Sequence, residues 1–398
     1  MSSKLQPLLQ SRRDRTIDIL RGFALAGVLL IFCISDNAPT EGNTNSFVDE
    51  LISWPRYILI ESRMYTMLII IFGMGFHVQL EKAKQQGKSL VPVFSRRLVG
   101  LLFIGFIHAT LLSSRDILMF YALSGIVLLL ARKATTRQLL VGMLVLFYVI
   151  FPLIQYNVKN VWPQVAGLVE PDNYPNYLSY NWEYFKLYHQ VYLIYAGMLF
   201  HFMLGFMISK SGLFQKIKEN RLFRRKLFFI SLGLTAVFIP FFYFLLPSWM
   251  PGIARSMANP LVKFFFGILY RSLWEVWMLA SVTLYATMLI MITTRKKAIQ
   301  PLAAFGQMAL SNYLIQSIVL VPWLLLTNEI RNLTPSEGII VFIIVFAFQL
   351  LFSAWWMTRY SLGPFEWLLR SFTYWKWQPL RRPVENEFNN EKQVVTFS

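Results

Sequence analysis

The sequence contains one cysteine and few charged residues for its length. Because Cys33 is the only cysteine, the chain has no disulfide framework of its own. Charged residues make up 15% of the 398 residues, whereas a soluble domain has about a quarter. Hydrophobic residues make up 56%, including 35 phenylalanines and 12 tryptophans. This composition excludes an ordinary soluble domain and predicts an all-α, polytopic membrane protein.

Acidic residues are scarce, with 20 Asp and Glu against 38 Lys and Arg, so the net charge is +18. The basic residues cluster at the ends of apolar runs, where they act as topology signals and contact anionic lipid headgroups. We therefore expect the lipid bilayer as a partner and no nucleic acid. The clusters are Arg12, Arg13 and Arg15; Lys82, Lys84, Lys88, Arg96 and Arg97; Arg132, Lys133 and Arg137; residues 210–226; Arg295, Lys296 and Lys297; and Arg381 and Arg382.

The sequence also lacks the common signatures of nucleotide-binding and catalytic sites. It has no P-loop glycine pattern, no HExxH, no GxSxG and no paired Cys/His spacing for a metal. We therefore predict no metal and no bound cofactor. Ionisable residues inside apolar runs then carry most of the functional information, because a charge in lipid normally faces the bundle interior or a wet cavity.

Ten apolar runs are candidates for membrane-spanning helices, although several are shorter than the ~20 residues that a span needs. Arg21 interrupts the first run and no small-residue cleavage site follows it, so we expect a retained helix and not a signal peptide. Basic segments alternate with less basic ones, which predicts that both termini are cytoplasmic. The ten runs are 17–35, 58–80, 98–113, 116–132, 138–156, 190–209, 227–247, 272–294, 302–326 and 339–358.

The predicted organisation is a single membrane domain between two cytoplasmic segments. The domain ends in an interfacial helix that begins at Pro364 and contains Glu366 and Arg370 as an i,i+4 pair. Segment 248–271 contains Pro251 and Pro260 and follows Pro247, so we expect it to be too broken to span and to lie along the outer surface. The boundaries are 1–16 for the N-terminal segment, 17–380 for the membrane domain and 381–398 for the tail.

The largest predicted outer segment, 157–189, is dense in aromatic residues. Such a density is typical of an interfacial aromatic belt, and it also suits a stacking surface for a sugar or a lipid headgroup. Both interpretations remain open from the sequence. The residues are Tyr174, Tyr177, Tyr180, Trp182, Tyr184 and Tyr188.

A histidine and an aspartate stand at a predicted turn between two apolar runs. His108 lies deep in the third run, and Asp116 opens the fourth, so an antiparallel pair of helices can bring them together. One interpretation is structural, with a neutral imidazole in a polar contact and Asp116 as a helix N-cap. The other is a general base held in one tautomer by a carboxylate. The remaining histidines are expected to be interfacial or structural: His77, His189 and His201.

Asp18 and Arg21 are spaced i,i+3 in the first run and can pair in the inner leaflet. The alternative for Arg21 is snorkelling, since its head can reach the headgroups from one turn inside the membrane. Small residues spaced four apart predict close helix packing at two places. These pairs are Gly22 with Ala26 and Gly105 with Ala109.

The ninth run carries five polar side chains, too many for all of them to face lipid. Part of this helix must therefore line a polar interior or bond to neighbouring helices. Asn312 and Gln316 are its candidate substrate-binding residues. The five are Gln307, Ser311, Asn312, Tyr313 and Gln316.

Several long blocks resemble the YeiB-like family of bacterial inner-membrane proteins, whose common domain has no assigned function. The blocks, in chain order, are TIDILRGFALAGVLL, RMYTMLIIIFGMGF, RRLVGLLFIGFIHATLLSSRDILMFYALSG, LAAFGQMALSNYLIQS and GPFEWLLRSFTYWK. The resemblance covers almost the whole chain. Arg115 departs from it, because the family pattern usually has a glycine before Asp-Ile-Leu.

This family is distantly similar to transmembrane acyltransferases, including the heparan-glucosaminide acetyltransferase group. The resemblance implies a cytoplasmic thioester donor such as acetyl-CoA and an envelope glycan or lipid acceptor. It also implies an intramembrane histidine as base or acyl carrier, which is His108 here, with Asp116 as its orienter. Arg21, beside Asp18, is the implied donor-binding or structural charge.

The sequence therefore favours an inner-membrane acyltransferase-like enzyme over two alternatives. A transporter or exporter also buries charges in the membrane, but it more often has internal repeats and helices broken by glycine or proline at matching positions. In a non-catalytic scaffold, His108, Asp18 and Arg21 would be polar packing groups. The sequence does not indicate the oligomeric state.

Overall fold

A computed structural model of the chain is a bundle of α-helices. It describes residues 14–34, 47–87, 89–113, 116–152, 174–190, 192–249, 259–293, 299–326 and 333–382. Within these ranges the only β-type pairing is one antiparallel bridge between Tyr360 and Arg381. The helices are α1 Arg15–Cys33, α2 Phe47–Pro55, α3 Arg63–Gln85, α4 Val91–Leu111, α5 Leu118–Leu130, α6 Thr136–Val145, α7 Tyr174–Gln190, α8 Tyr192–Lys210, α9 Leu213–Glu219, α10 Arg221–Pro240, α11 Pro260–Thr293, α12 Gln300–Gln307, α13 Ala309–Leu326, α14 Pro335–Arg359 and α15 Pro364–Tyr374.

The described residues contain six helical segments that are long and apolar enough to cross a membrane, or eight if each of two bent pairs counts as one span. This confirms an all-helical chain of polytopic membrane type. Each of the ten predicted runs contains a helix, but α5 has only 13 residues and the apolar helix Thr136–Ile150 is also short. Ten crossings therefore remain a prediction. The six segments are Arg15–Cys33, Phe47–Gln85, Val91–Leu111, Arg221–Trp249, Leu261–Thr293 and Pro335–Arg359.

The predicted outer segment 248–271 is partly a long apolar helix, contrary to the interpretation that it is too broken to span. α11 runs without interruption for 34 residues from Pro260, so the second half of 248–271 belongs to a long apolar helix. Proline is tolerated there because the first turn of a helix needs no backbone N–H donor. α2 lies between the first and the second predicted apolar runs. Residues 250–258 lie outside the described part of the chain.

The ninth predicted helix, 302–326, is wrong as a single element. α12 and α13 are separated at Met308 and meet at an angle of 78°. A second bend of 62° separates the end of α8 from α9. A break frees backbone N–H and C=O groups that a straight helix would pair, so the fold must supply other partners for them.

Glycines let two pairs of helices approach with their backbones in contact. α1 and α12 meet at Gly22 and Gly306, where an added Cβ would lie 2.3 and 1.9 Å from a carbonyl oxygen of the facing helix. α3 and α8 meet in the same way at Gly73 and Gly205, with 2.1 and 2.0 Å. Any larger residue would force these backbones apart. The predicted close packing at Gly22 is therefore confirmed.

Candidate functional site

His108 lies in the last turn of α4, with its side chain 1% exposed. At this end of the helix the backbone carbonyl oxygen of His108 accepts the N–H groups of Leu112 and Ser113, at 2.9 and 2.8 Å. Asp116 follows residues 114 and 115, which lie outside the described ranges. Arg115, where the sequence departs from the family pattern, is one of these two residues.

The imidazole of His108 lies between a carboxylate and a hydroxyl. Its Nδ1 is 2.9 Å from Oδ1 of Asp116, and its Nε2 is 2.9 Å from Oγ of Ser317. All three residues are at most 2% exposed. We call Asp116, His108 and Ser317 the His108 triad. Despite the short distance, Nδ1 forms no well-aligned hydrogen bond, so its contact with Asp116 is a close charge contact. We assign the proton to Nδ1, which leaves Nε2 to accept the Ser317 hydroxyl proton.

Asp116 also accepts a hydrogen bond at the start of α5, one residue before the N-cap position, which is close to the structural interpretation; its role as orienter stays a prediction. Its Oδ2 accepts the backbone N–H of Met119 at 2.8 Å. The approach depends on Gly105, where an added Cβ would lie 2.8 Å from that same oxygen and from the Met119 nitrogen. The predicted close packing at Gly105 is confirmed.

Sequence reasoning did not place Ser317 in this site, and it listed Tyr313 only as a polar residue of the ninth helix. The two lie one turn apart on α13 and so share a face. The Tyr313 hydroxyl donates to Oδ1 of Asp116 at 3.3 Å, and its ring centroid lies 4.9 Å from that of His108. The i,i+4 hydroxyls in an apolar helix were the available signal for both residues.

Asn312 forms hydrogen bonds that join α13 to α12 and α14. None of these bonds involves the His108 triad. Its Nδ2 donates to the carbonyl of Phe305 and to Oγ of Ser353, both at 3.0 Å. Gln349 donates to its backbone carbonyl at 3.0 Å. Gln316 is 1% exposed, and its Oε1 has no hydrogen-bond partner among the described residues. Substrate binding by Asn312 and Gln316 stays a prediction.

Glu366 of α15 accepts hydrogen bonds from backbone N–H groups at the start of α13. Its Oε1 accepts the N–H groups of Leu310 and Ser311 at 2.6 and 3.1 Å, and its Oε2 accepts the Ser311 hydroxyl. A carboxylate suits a helix N-terminus because of the helix dipole. Burial of the Glu366 carboxyl nevertheless raises its pKa, against the effect of these hydrogen bonds.

Arg21 contacts the backbone on the other side of the break, near the C-terminal end of α12. Its Nη1 lies 3.0 Å from Oδ1 of Asp18 and donates to the carbonyl of Gly306, near the end of α12, at 3.4 Å. A cation suits a helix C-terminus for the same electrostatic reason. The predicted Asp18–Arg21 pair is confirmed, and in these contacts it joins α1 to α12. Donor binding by Asp18 and Arg21 stays a prediction.

The aromatic segment forms α7 and covers the end of α4. The hydroxyls of Tyr177 and Tyr174 donate to the carbonyls of Leu112 and Leu111 at 2.6 and 3.3 Å. These are carbonyls that the helix end leaves without an intrahelical partner. Part of this segment therefore closes the His108 end of the bundle, and the side chain of Tyr188 lies outside the description.

Two other histidines have partly buried partners. Nε2 of His201 on α8 lies 2.7 Å from Oε1 of Glu275 on α11, and Nδ1 of His77 lies 2.9 Å from Oγ of Ser209. Sequence reasoning missed the first pair, although an acid inside the run 272–294 was a signal for it. The side chain of His189 is not described. Among the described residues, no group of three or more His, Cys, Asp or Glu is placed to hold a metal.

Comparison with known proteins finds one family model and several relatives, all of unknown function. A family described as "Protein of unknown function (DUF418)" matches residues 208–376. The chain is 29% identical to "Uncharacterized protein YxaH" of Bacillus subtilis (strain 168), over 96% of this chain and 100% of that protein. It is 24% identical to "Uncharacterized protein YeiB" of Escherichia coli (strain K12), over 91% and 96%.

These matches support a YeiB-like domain of unknown function. A further relative is the "Uncharacterized 39.9 kDa protein in amylase 3'region" of Bacillus acidopullulyticus, which is 24% identical over 93% of this chain and 96% of that protein. No solved structure matches this chain. The printed names of these relatives give no activity, so the function of the site rests on its geometry.

Proposed function

We propose that the protein is an inner-membrane acyltransferase in which His108 is the general base and Asp116 orients it. The observation that carries the proposal is the His108 triad. A hydroxyl and a carboxylate lie on opposite nitrogens of one buried imidazole, each at 2.9 Å. This is the arrangement in which a base activates a hydroxyl nucleophile. Membrane helices of the bilayer-spanning type surround it.

The reaction begins when Nε2 of His108 takes the proton of a hydroxyl. That oxygen attacks the carbonyl carbon of a thioester such as acetyl-CoA, the C–S bond breaks, and His108 returns the proton to the thiolate. Asp116 stabilises the imidazolium between these steps. The hydroxyl belongs to an envelope glycan or lipid acceptor in direct transfer, and to Ser317 if an acyl-serine forms first.

A transporter is the second candidate, and a specific observation favours it. α12 and α13 form a discontinuous helix with a 78° bend, and transporters often bind substrate at such breaks. Asn312 and Gln316 lie beyond this break on α13. A transporter does not require a serine on one nitrogen of a histidine and an aspartate on the other, so the enzyme is the preferred proposal.

The test uses purified full-length protein in proteoliposomes with labelled acetyl-CoA and a panel of purified envelope glycans and lipids. We expect transfer of label by the wild type, and loss of about 10²–10⁴-fold in rate with His108→Ala. His77→Ala is the matched control, because that imidazole also contacts a serine hydroxyl at 2.9 Å. It should keep the wild-type rate.

The fate of the label separates the two routes. An acyl-serine on Ser317, identified by mass spectrometry of the quenched protein and absent from Ser317→Ala, supports the two-step route. Transfer that persists in Ser317→Ala supports direct attack by the acceptor. No transfer with any acyl-CoA, together with solute flux that depends on His108, would replace the enzyme with the transporter.

We further propose ten crossings with both termini in the cytoplasm. The support is the clustering of Lys and Arg on alternate connecting segments. This orientation places Arg15 on the cytoplasmic side, and it places the His108 end of α4 towards the outside. An acyl group must then pass from a cytoplasmic donor to the outer half of the bundle.

A further inference from the structure

Residues 375–382 fold back along α15 and form one surface with it. The indole Nε1 of Trp367 donates to the carbonyl of Gln378 at 2.7 Å. The N–H of Ser361, just before α15, donates to the carbonyl of Leu380 at 2.9 Å. These hydrogen bonds hold the segment against the helix. We call α15 together with residues 375–382 the α15 surface.

Large apolar side chains are exposed on the α15 surface. Leu368, Phe372 and Trp375 follow the i, i+4, i+7 spacing of one helix face, and they are 45%, 39% and 66% exposed. Trp377 is 71% exposed. α15 has 11 residues, about 16 Å, so it is too short to cross a bilayer. A short helix with such a face suits the boundary between lipid headgroups and acyl chains.

Trp375 has a backbone conformation that tryptophan rarely adopts. Its φ of 54° and ψ of 37° are left-handed, and glycine is the usual residue in this conformation at the end of a helix. Its N–H donates to the carbonyl of Phe372 at 3.2 Å and so closes α15. Strain of this kind is concentrated at functional sites. Glycine would close the helix without strain, so the exposed indole is the feature that needs a function.

Three exposed cations belong to the same surface. Lys376, Arg381 and Arg382 are exposed, and residues 367–382 include no Asp or Glu. Nε of Arg382 donates to the carbonyl of Tyr360 at 3.1 Å, which holds this side chain beside the turn before α15. Anionic lipid headgroups attract such clusters of lysine and arginine. The α15 surface therefore combines positive charge with exposed aromatic rings.

We propose that the α15 surface binds the headgroups of anionic phospholipids. The three cations contact headgroup phosphates, and the rings of Trp375 and Trp377 enter the boundary with the acyl chains. A lipid is favoured over an acidic protein because the chain has membrane-spanning helices beside this surface. α15 packs on α4 at Gly100, about 12 Å along that helix from His108. The proposal does not depend on acyl transfer.

The first test measures the affinity of single lipids for the purified full-length protein by native mass spectrometry. The probes are dioleoyl phosphatidylglycerol, which is anionic, and dioleoyl phosphatidylcholine, which has the same acyl chains and no net charge. We expect the first phosphatidylglycerol to bind at least about tenfold more tightly than phosphatidylcholine. Replacing Lys376, Arg381 and Arg382 together by glutamine should reduce this ratio to about threefold or less.

The matched control removes the same charge from another exposed basic cluster. Arg221, Arg225 and Lys226 are exposed at the start of α10. Replacing these three residues together by glutamine should keep the wild-type ratio of the two lipid affinities. An equal fall of the ratio in both triple variants would show a general effect of net charge and would overturn the proposal.

Trp375→Gly separates a lipid contact from a structural helix end. Glycine adopts the left-handed conformation without strain, so the melting temperature in lipid-free detergent should stay the same or rise. The affinity for the first phosphatidylglycerol should fall at least about fivefold, because an aromatic anchor is lost. Trp182→Gly is the control, since Trp182 is 45% exposed inside α7. It should lower the melting temperature and leave that lipid affinity unchanged.

Three further results would overturn the proposal. The first is equal affinity of the wild type for phosphatidylglycerol and phosphatidylcholine. The second is a Trp375→Gly protein with a lower melting temperature and the wild-type affinity for phosphatidylglycerol, which would leave Trp375 as a structural residue. The third is a dimer in the same mass spectra that dissociates in Trp375→Gly, which would assign the α15 surface to a second copy of the chain.

Discussion

Oδ1 of Asp116 lies 2.9 Å from Nδ1 of His108, while Oδ2 of the same carboxylate caps α5 through the N–H of Met119. One side chain thus joins two tasks, orienting an imidazole and starting a helix. An asparagine can still accept the N–H of Met119, but it cannot stabilise an imidazolium. Substitution at this position therefore separates the proposed catalysis from folding.

Asp116→Asn is expected to lower the acyl-transfer rate by about 10³-fold or more while the protein stays folded and inserted. Asp49→Asn is the matched control, since Asp49 is also buried and accepts the N–H of Ser336 at the start of α14, at 3.0 Å. It should keep its activity. A rate in Asp116→Asn within tenfold of the wild type would contradict the role of Asp116 as orienter.

Gly105→Ala should destabilise the contact between α4 and α5. Its new methyl group would meet Oδ2 of Asp116 and the nitrogen of Met119 at 2.8 Å, and overpacking of this kind costs about 1–3 kcal/mol. Gly75→Ala on α3 is the control, because an added Cβ there meets nothing within 4 Å. The control should gain up to about 1 kcal/mol from helix propensity. Thermal unfolding in detergent measures both, and equal melting temperatures would refute the close packing.

Asp18 and Arg21 should be strongly coupled in a double-mutant cycle. Replacing one partner by alanine leaves a buried charge uncompensated, which costs about 3–5 kcal/mol at a well-buried site, and the double replacement should cost less than either single one. Glu183 and Lys186 are the control, being an i,i+3 pair at 2.7 Å that is about half exposed. Mild, additive losses for Asp18 and Arg21, like those of the control pair, would favour snorkelling.

Glu366 should make stability depend on pH with a defined sign. Burial raises the pKa of this carboxyl in the folded protein, so the folded state binds the proton more tightly than the unfolded state. The contribution of Glu366 to the free energy of unfolding is therefore fully present below the pKa of the unfolded state, about 4.3. It is lost as the pH rises through the pKa of the folded state.

The melting temperature of the wild type should fall as the pH rises from the unfolded-state pKa to the folded-state pKa of Glu366. Glu366→Gln should remove the part of this fall that Glu366 causes. Glu183→Gln, at an exposed position, should leave the pH profile unchanged. A wild-type profile that rises with pH across the same window would show that the hydrogen bonds of Glu366 outweigh its burial.

The ten-crossing topology predicts the side of six reporter fusions. Fusions after residues 45, 170 and 333 should report outside, and fusions after 88, 218 and 297 should report inside, because Lys and Arg mark the cytoplasmic segments. A reversed reporter at any one site would exclude the ten-helix count. The accessibility of each fusion to an impermeant label provides the independent check.

The sequence by itself determined the helical class, the positions of the apolar helices and the meeting of His108 with Asp116. Hydropathy fixes the first two, because lipid leaves backbone groups no partner outside a helix. The pair was predictable because a short turn between antiparallel helices brings its two residues together. The i,i+3 contact of Asp18 with Arg21 is likewise a property of one helix.

Only the tertiary structure decided the remainder of the site. Ser317 and Tyr313 reach His108 and Asp116 across about 200 residues of sequence, and no local pattern states which face of α13 turns towards α4. α13 follows a break at Met308, and Glu366 and Arg21 bond to backbone groups on the two sides of that break. Hydrogen bonds between distant segments thus replace those of a straight helix, and a pattern read along one segment contains no information about such partners.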